Sequence, residues 1–379
     1  MKRLLIIISS MTFGGAEMQT LELANGLLDK GYCIDIVVLD SKQDIISHAK
    51  PEITFHILKK QHYLDLAVVK KIKKIIATQK PDLVFCVDLY PMLYMQLSGS
   101  HSKKPYKIVT ALHSTLPRNL KHKFHRVYLT RFLKNVNRVV FVSNKQKQYW
   151  LTHYPINSDK AVYIHNGIDI EKFSEYIEKN DEIQRVKKNY NFGEDEIILG
   201  NCSNFRGEKR HYDLIQALKN LREKGYPVKL LLIGDGEMRS KMEKQIKELG
   251  LEQQVVITGH VMDVRSYLAV VDIFVLTSDS VETLSIAAIE SQAMKKAAVL
   301  SDIGGASEIV EEGITGYLYE AGQVEQLTEK LDRMIQNNLW KAMGEAAYEH
   351  AQRNFHKEKM IESYEKLFRD VMDEETCSD

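Results

Sequence analysis

Glu282 and Glu290 bracket an almost wholly apolar run, Thr283-Leu284-Ser285-Ile286-Ala287-Ala288-Ile289. Such a run reads as a buried helix, so a carboxylate inside it loses hydration and needs a cation or a ligand with hydroxyl donors. A start near Thr283 puts Glu282 at the N-cap and Glu290 about two turns in. The N–H groups of Leu284, Ser285 and Ile286 would then open toward an anion. Upstream, Ser203-Asn204-Phe205-Arg206-Gly207-Glu208-Lys209-Arg210 sets a guanidinium and an ammonium on a glycine-containing loop before a helix. That combination suits a phosphate clamp, although a solvated basic loop is the commoner reason for such a sequence. Gly234-Asp235-Gly236 and Gly14-Gly15-Ala16-Glu17 permit close backbone approach to a ligand, and each also reads as an ordinary turn. His113 can donate a hydrogen bond from a strand end, though a lone histidine is more often structural. His165-Asn166-Gly167-Ile168-Asp169 carries ordinary Asn-Gly turn chemistry.

These residues come after short apolar runs that alternate with amphipathic stretches. The first series of strands is predicted at Leu4–Ile8, Ile34–Leu39, Thr54–Leu58, Leu83–Val87, Ile108–Ala111, Val139–Val142 and Val162–Ile164. A second series starts at Ile197–Asn201 and continues through Val228–Ile233, Val255–Thr258, Ile273–Leu276 and Ala298–Leu300. Strands without polar alternation, separated by helices, imply parallel sheets covered on both faces. The pattern predicts two doubly wound α/β domains, with ligands expected beyond the carboxyl ends of the strands. The boundaries read from the pattern are residues 1–170, a charged linker at 171–195, and a second domain over 196–355.

The chain has 379 residues, 44% hydrophobic, with 7 Pro and 20 Gly, which excludes collagen-like, low-complexity and disordered classes. A net charge of +1 conceals an asymmetry: residues 1–158 hold 24 Lys+Arg against 10 Asp+Glu, and the remainder holds 28 against 41. No acidic residue lies between Asp88 and Asp159. The first half therefore expects an anionic partner. Within it, Lys121–Lys134 mixes cations with Phe124, Tyr128 and Phe132, a composition suited to a helix on an anionic membrane surface or to a solvated face over the core. No nucleic-acid module or stacking platform is present, so nucleic acid is not an expected partner. Cys33, Cys86, Cys202 and Cys377 lack metal-ligand spacing and read as free thiols of a reducing, cytoplasmic compartment. The apolar run Leu4–Ile8 is too short for a signal sequence or a membrane span.

The ordered set of motifs resembles the retaining, nucleotide-sugar-dependent group 1 glycosyltransferases (family 4) of the GT-B fold. It comprises GGAE, His113, HNGID, Arg206 with Lys209, GDG, Glu282 with Glu290, Ser301-Asp302-Ile303-Gly304-Gly305 with Glu308, and Gly313-Ile314-Thr315-Gly316-Tyr317-Leu318. The resemblance runs from Leu4 to about Phe368. It implies two Rossmann-like domains facing a cleft, an acceptor-binding first domain and a donor-binding second, with the final helix, 356–379, packed back on the first.

The resemblance also implies roles. Arg206 and Lys209 hold the donor diphosphate, and Glu290 accepts from the ribose hydroxyls. Glu282, with the N–H groups after Thr283, grips the transferred sugar and the distal phosphate. His113 contacts the donor sugar, and Gly14 and Gly15 line the diphosphate and acceptor side. Three departures stand out, the first being Ser285 in place of the glycine usual three residues after the first glutamate. Most members carry arginine where Asn204 stands here, and the usual Gly-x-Pro after the second glutamate is Lys295-Lys296-Ala297. Asn204 and Gly234 complete the expected donor-binding set. The expected reaction is metal-independent transfer with retention from a nucleotide sugar, uridine diphosphate on frequency in the family, with no further cofactor. The expected acceptor is a glycan or a polyprenyl- or other lipid-linked glycan of cell-surface polysaccharide synthesis, at the inner face of the plasma membrane. A nucleotide-sugar epimerase or a non-catalytic nucleotide-binding subunit would share the scaffold.

Overall fold

The computed structural model describes residues 2–99, 105–114, 128–178, 180–280 and 282–374. They divide into two units, Met1–Gly167 with Lys357–Asp379, and Ile168–His356. The first unit is built on β1 (Arg3–Ile8), β2 (Cys33–Val38), β3 (Thr54–Ile57), β4 (Leu83–Val87), β5 (Lys107–Leu112), β6 (Arg138–Phe141) and β7 (Ala161–Tyr163). All pair in parallel, in the order β3-β2-β1-β4-β5-β6-β7. Leu4, Ile6 and Ile8 enter the core on one face with Leu27 and Phe85. Leu5 and Ile7 enter the other with Val84 and Met92. Two buried faces explain why the strand carries no polar alternation.

The second unit repeats the plan with β8 (Ile197–Cys202), β9 (Val228–Ile233), β10 (Val255–Ile257), β11 (Ile273–Leu276), β12 (Ala297–Ser301) and β13 (Gly316–Tyr319). These are also parallel, ordered β10-β9-β8-β11-β12-β13. Its core joins Leu199, Leu230, Ile273 and Val299 to Leu214, Leu218 and Leu331 from the covering helices.

The structure departs from the sequence reading in several places, one of them the last strand, Gly316–Tyr319, which the reading treated only as part of a motif. Leu89–Ser98 is a helix that hydropathy could not show, since Pro91–Gln96 are all buried and no polar face breaks the pattern. Pro91 sits in its first turn, where a missing N–H costs nothing. The stretch expected as a linker, with part of it helical, is helical over most of its length, with Ile170–Ser174, a short 3-10 turn and Asn180–Asn189. It buries Phe173, Tyr176, Val186 and Phe192 within the second unit. Of the predicted helix Lys121–Lys134, residues 121–127 lie outside the described residues. Its remainder leads into a 3-10 turn, Arg131–Asn135, with Leu129 and Leu133 buried in the core and Tyr128 exposed. Finally, Cys86 is buried, whereas Cys33, in an equally apolar strand run, is half-buried.

The helix Lys357–Asp373 comes after the second unit in sequence and belongs to the first. Its Met360, Ile361, Tyr364, Phe368 and Val371 recur at helical spacing and complete the core around Phe85. Phe368 and Tyr364 lie with ring centroids 5.5 and 5.6 Å from that of Phe85. Phe368→Ala should destabilise the first unit by about 3–5 kcal/mol through the cavity it leaves. Urea unfolding followed by circular dichroism measures this, and a loss below about 1 kcal/mol would show that the helix is dispensable to the core.

Candidate functional site

In the second unit the sequence-selected residues gather beyond the carboxyl ends of β8, β9 and β11. The loop after β8 is fixed by its backbone. Phe205 donates its N–H to Asp235 O at 2.9 Å and accepts from Met238 N–H at 3.0 Å. Gly234, at φ +140°, allows this approach, because a Cβ there would lie 2.1 Å from Ser203 O. Packing of loop on loop therefore accounts for this glycine. The loop then makes a 3-10 turn, Gly207–Lys209, and presents its cations.

Lys209 Nζ donates to Glu282 Oε2 at 2.5 Å, and Ser278 Oγ donates to the same oxygen at 3.1 Å. Thr277 Oγ1 donates to Lys209 O at 2.8 Å. The loops after β8 and β11, neighbouring strands, are thus tied by side chain and backbone together. Arg206 is half-buried, and its side chain has no hydrogen bond or ion pair among the described residues. Arg210 is committed elsewhere, pairing bidentately with Asp213 at 2.6 and 3.1 Å. Asn204 is exposed. A clamp from this loop would therefore use Arg206 and Lys209.

The helix between the glutamates begins later than expected. It spans Ile286–Ala293, and its N-cap is Ser285, whose hydroxyl accepts from Ala288 N–H at 3.3 Å. Ser285 caps it because the preceding residues are held outside helical geometry. Gly305 N–H donates to Thr283 O at 2.7 Å. Gly304, at φ +54°, leaves room for Glu282 O, 2.2 Å from where its Cβ would stand. Glu282 therefore precedes the cap instead of forming it, and Glu290 lies just over one turn in. Of the three N–H groups expected at the helix start, only that of Ile286 belongs to the first turn, while Thr283, Leu284 and Ser285 are buried before it.

Glu290 is partly buried, and among the described residues nothing donates to or pairs with its carboxylate. Burial pushes its pKa up to about 7, with Lys172 opposing and Asp263 adding to the rise. The Cys202 thiol is raised to about 12 by burial and by Glu290, against the pull of Lys209. One small region thus feels both the cation and the unpaired acid. Behind it, the buried His211 makes a 2.9 Å Nε2 contact with Ser203 Oγ, which donates to Asn201 Oδ1 at 2.8 Å. Burial and the nearby Lys209 lower its pKa to about 4, so it is neutral at physiological pH.

In the first unit, Gly14 caps helix Gly15–Asp29 in an extended conformation. Ser10 Oγ donates to Glu17 at 3.2 Å, and burial raises the Glu17 pKa. His113 comes directly after β5, and its N–H donates to Asp88 Oδ1 at 2.9 Å. Burial lowers its pKa against the charge of Asp88. Asp88 is a non-glycine residue at φ +72°, between β4 and its helix. β1 and β4 are adjacent where strand order reverses, the position at which doubly wound sheets bind ligands. His113 also lines a cavity of about 10 Å³ with Gln19, Asn166 and Tyr364. Gly167 N–H closes this corner by donating to Gln19 Oε1 at 2.9 Å.

With both sets of residues described, comparison with known proteins decides the family. Residues 13–172 match Glycosyltransferase Family 4, and residues 182–350 match Glycosyl transferases group 1. The chain belongs to the group 1, family 4 glycosyltransferases. It is 30% identical over 269 residues to N-acetyl-alpha-D-glucosaminyl L-malate synthase of Bacillus anthracis, covering 70% of this chain and 68% of that one. It is 26% identical over 243 residues to the capsular polysaccharide biosynthesis glycosyltransferase CapM of Staphylococcus aureus, covering 64% and 61%. Anabaena HepE in complex with UDP-glucose superposes with a TM-score of 0.83 at 20% identity, over 98% of this chain and 100% of that one. The two units are thus the two Rossmann-like domains of a GT-B glycosyltransferase.

For this family member, sequence reasoning selected the charged residues and missed their supports. Thr277 and Ser278 come directly after β11, and that position was the available signal. Nothing in the sequence singles out Asp88, whose strained backbone appears only in three dimensions, nor His211, one of 13 histidines.

Removing the Glu290 charge has a signed consequence. A carboxyl with its folded pKa raised to about 7 binds a proton that the unfolded chain, near 4.5, has released. Stability is therefore lost as pH rises between those values and stays lost above them. Without nucleotide, Glu290→Gln should be more stable than the parent at pH 8, on the order of 1–2 kcal/mol for a partly exposed group. The difference should vanish below about pH 4.5. Urea titrations across that range measure it, and an equal gap at every pH would contradict an unpaired carboxylate.

Proposed function

We propose that this glycosyltransferase moves a sugar, with retention, from a uridine diphosphate sugar to a glycan or lipid-linked glycan acceptor in cell-surface polysaccharide synthesis. The observation that carries the reading is Glu290, a carboxylate with no donor among the described residues, whose charge and that of Lys209 both act on the Cys202 thiol. Hydroxyl donors of a ribose would satisfy that carboxylate, replacing the hydration lost on burial. Arg206 and Lys209 would hold the diphosphate and neutralise charge as it departs, the part a metal plays in other sites. Ser278 keeps Glu282 in place while the diphosphate shares the Lys209 ammonium. His113 and the Gly14-Gly15 turn are assigned to the sugar and acceptor.

No carboxylate is cast as a covalent nucleophile. Displacement on the same face as the leaving diphosphate fits a site whose contribution is positioning and charge stabilisation. The UDP-glucose bound to HepE supports the choice of base, and the name of CapM supports a polysaccharide product. Among the described residues no helix is long and apolar enough to cross a membrane, and the proposed location is peripheral, at the cytoplasmic face.

Thermal-shift screening against nucleotide sugars should single out uridine diphosphate donors, since ligand at a hundred times Kd adds about 2.7 kcal/mol of stability. With the selected donor and an acceptor, Lys209→Ala and Glu290→Ala should each lose at least ~100-fold in turnover while remaining folded, about the effect of removing one charge-stabilising group. Proton NMR of the product should show the donor's anomeric configuration. Full activity in either variant, or an inverted product, would refute the site or the stereochemistry respectively.

A further inference from the structure

The loop that carries Arg206 and Lys209 stands on a buried chain of hydrogen bonds whose direction can be followed atom by atom. Val275 O, on β11, can only accept, so the Asn201 amide turns its Nδ2 toward it, at 2.8 Å. Asn201 Oδ1 is then left to accept from Ser203 Oγ at 2.8 Å. The serine hydroxyl has a single proton, and this bond uses it. In the 2.9 Å contact between Ser203 Oγ and His211 Nε2 the ring must therefore be the donor. His211 is neutral, so its proton sits on Nε2 and leaves Nδ1 bare. Asn201 and His211 are 1% and 2% exposed, so water does not compete for these bonds.

The two ends of this chain sit at the two feet of the loop. Ser203 comes directly after β8, and His211 opens helix His211–Glu223, so the Nε2 bond closes the segment between them. The same imidazole packs edge-on against Phe205, with centroids 4.7 Å apart and planes at 66°. Phe205 is fully buried and immediately precedes Arg206. Lys209 is held from the other side, by the Thr277 hydroxyl on its carbonyl and by Asp279 N–H on Glu208 O at 2.9 Å. Between these supports the crown has little packing of its own: a Cβ at Gly207 would meet nothing within 4 Å. The crown therefore depends on its feet.

We propose that His211, as its Nε2–H tautomer, is a positioning residue for glycosyl transfer: by bracing the loop at both feet it sets the reach of Arg206 and Lys209 toward the departing diphosphate. The inference rests on the clamp proposed above and deepens it, since it assigns the clamp's geometry to a side chain that acts only through its neighbours. A misplacement of about 1 Å can cost on the order of a hundredfold in rate. Charge on the diphosphate grows as the sugar leaves, so a displaced clamp loses more in the transition state than in the donor complex.

The transfer assay used for Lys209→Ala, with the same uridine diphosphate sugar and acceptor, tests it. His211→Phe keeps a ring against Phe205 and removes the N–H. Its kcat should fall at least ~tenfold while the donor KM stays within about threefold of the parent, the split that marks an interaction made in the transition state. His211→Gln offers an N–H donor near the position of Nε2 and should recover most of the activity. Ser203→Ala should lose as much as His211→Phe, and the double variant no more than either, because the same bond is broken in all three. If His211→Phe does not fold, Ser203→Ala carries the test. Nitrogen-15 NMR of the histidine-labelled protein, with His211 assigned from its absence in the His211→Gln spectrum, should show a protonated Nε2 and a bare Nδ1 at neutral pH. A proton on Nδ1, full activity in His211→Phe or Ser203→Ala, or an equal loss in His211→Gln and His211→Phe would each overturn the proposal. If Lys209→Ala is itself fully active, the clamp reading has failed; if Lys209→Ala is inactive and His211→Phe is not, only the bracing role has.

Discussion

The bond from Lys209 to Glu282 is the constraint on which the second unit's site depends. β8 and β11 are adjacent strands, and the loops that follow them are joined by a main-chain bond, from Asp279 N–H to Glu208 O at 2.9 Å. The ammonium–carboxylate contact and the Thr277 hydroxyl add two further ties at the charged residues themselves. Because both charged groups are largely buried, losing either would strand the other in a poorly hydrated setting. The glycines act in the same sense. Gly234 brings the β8 and β9 loops into contact, and Gly304 seats the Glu282 backbone, so the positions of the charged residues result from close packing of main chain beneath them. This is preorganisation: the charges are held in place by the protein itself.

Most of the architecture was legible because it depends on pattern. Unalternated runs such as Leu4–Ile8 and Val228–Ile233 imply strands buried on both faces, and they located twelve of the thirteen described strands to within a residue or two; the last, Gly316–Tyr319, was missed. The helix Leu89–Ser98 escaped for the same reason in reverse, since a helix buried nearly all round has no amphipathic contrast to detect. The segment after Ile170 looked like a linker because its charges outnumber its apolar residues. Its few aromatics, Phe173, Tyr176 and Phe192, nevertheless suffice to anchor it. In the site, charged residues could be selected by type, while their geometry could not. Where the helix after Glu282 begins depends on a hydrogen bond from Gly305 far along the chain, and no local propensity encodes that.

The charge asymmetry now has a structural address for part of its excess. In the first unit, lysines at Lys59–Lys74 stand without acidic partners, whereas Arg138 and Lys30 are paired with Glu374 and Glu365 from the chain's last stretch. Those acids belong by sequence to the negative half and by packing to the positive one. The division of charge along the chain is therefore sharper than the division in space, and the remaining positive face is the more conspicuous for having escaped neutralisation.

That same exchange of segments bears on how the protein is made. The core around Phe85 needs Tyr364 and Phe368, which leave the ribosome only after the whole of Ile168–His356. The second unit has all its strands and can close as soon as it is synthesised, whereas the first must wait, with Leu27, Phe85 and their neighbours uncovered, although it is translated first. The usual order, in which the N-terminal domain folds before its successor, is inverted. The last domain to begin is the first that can finish.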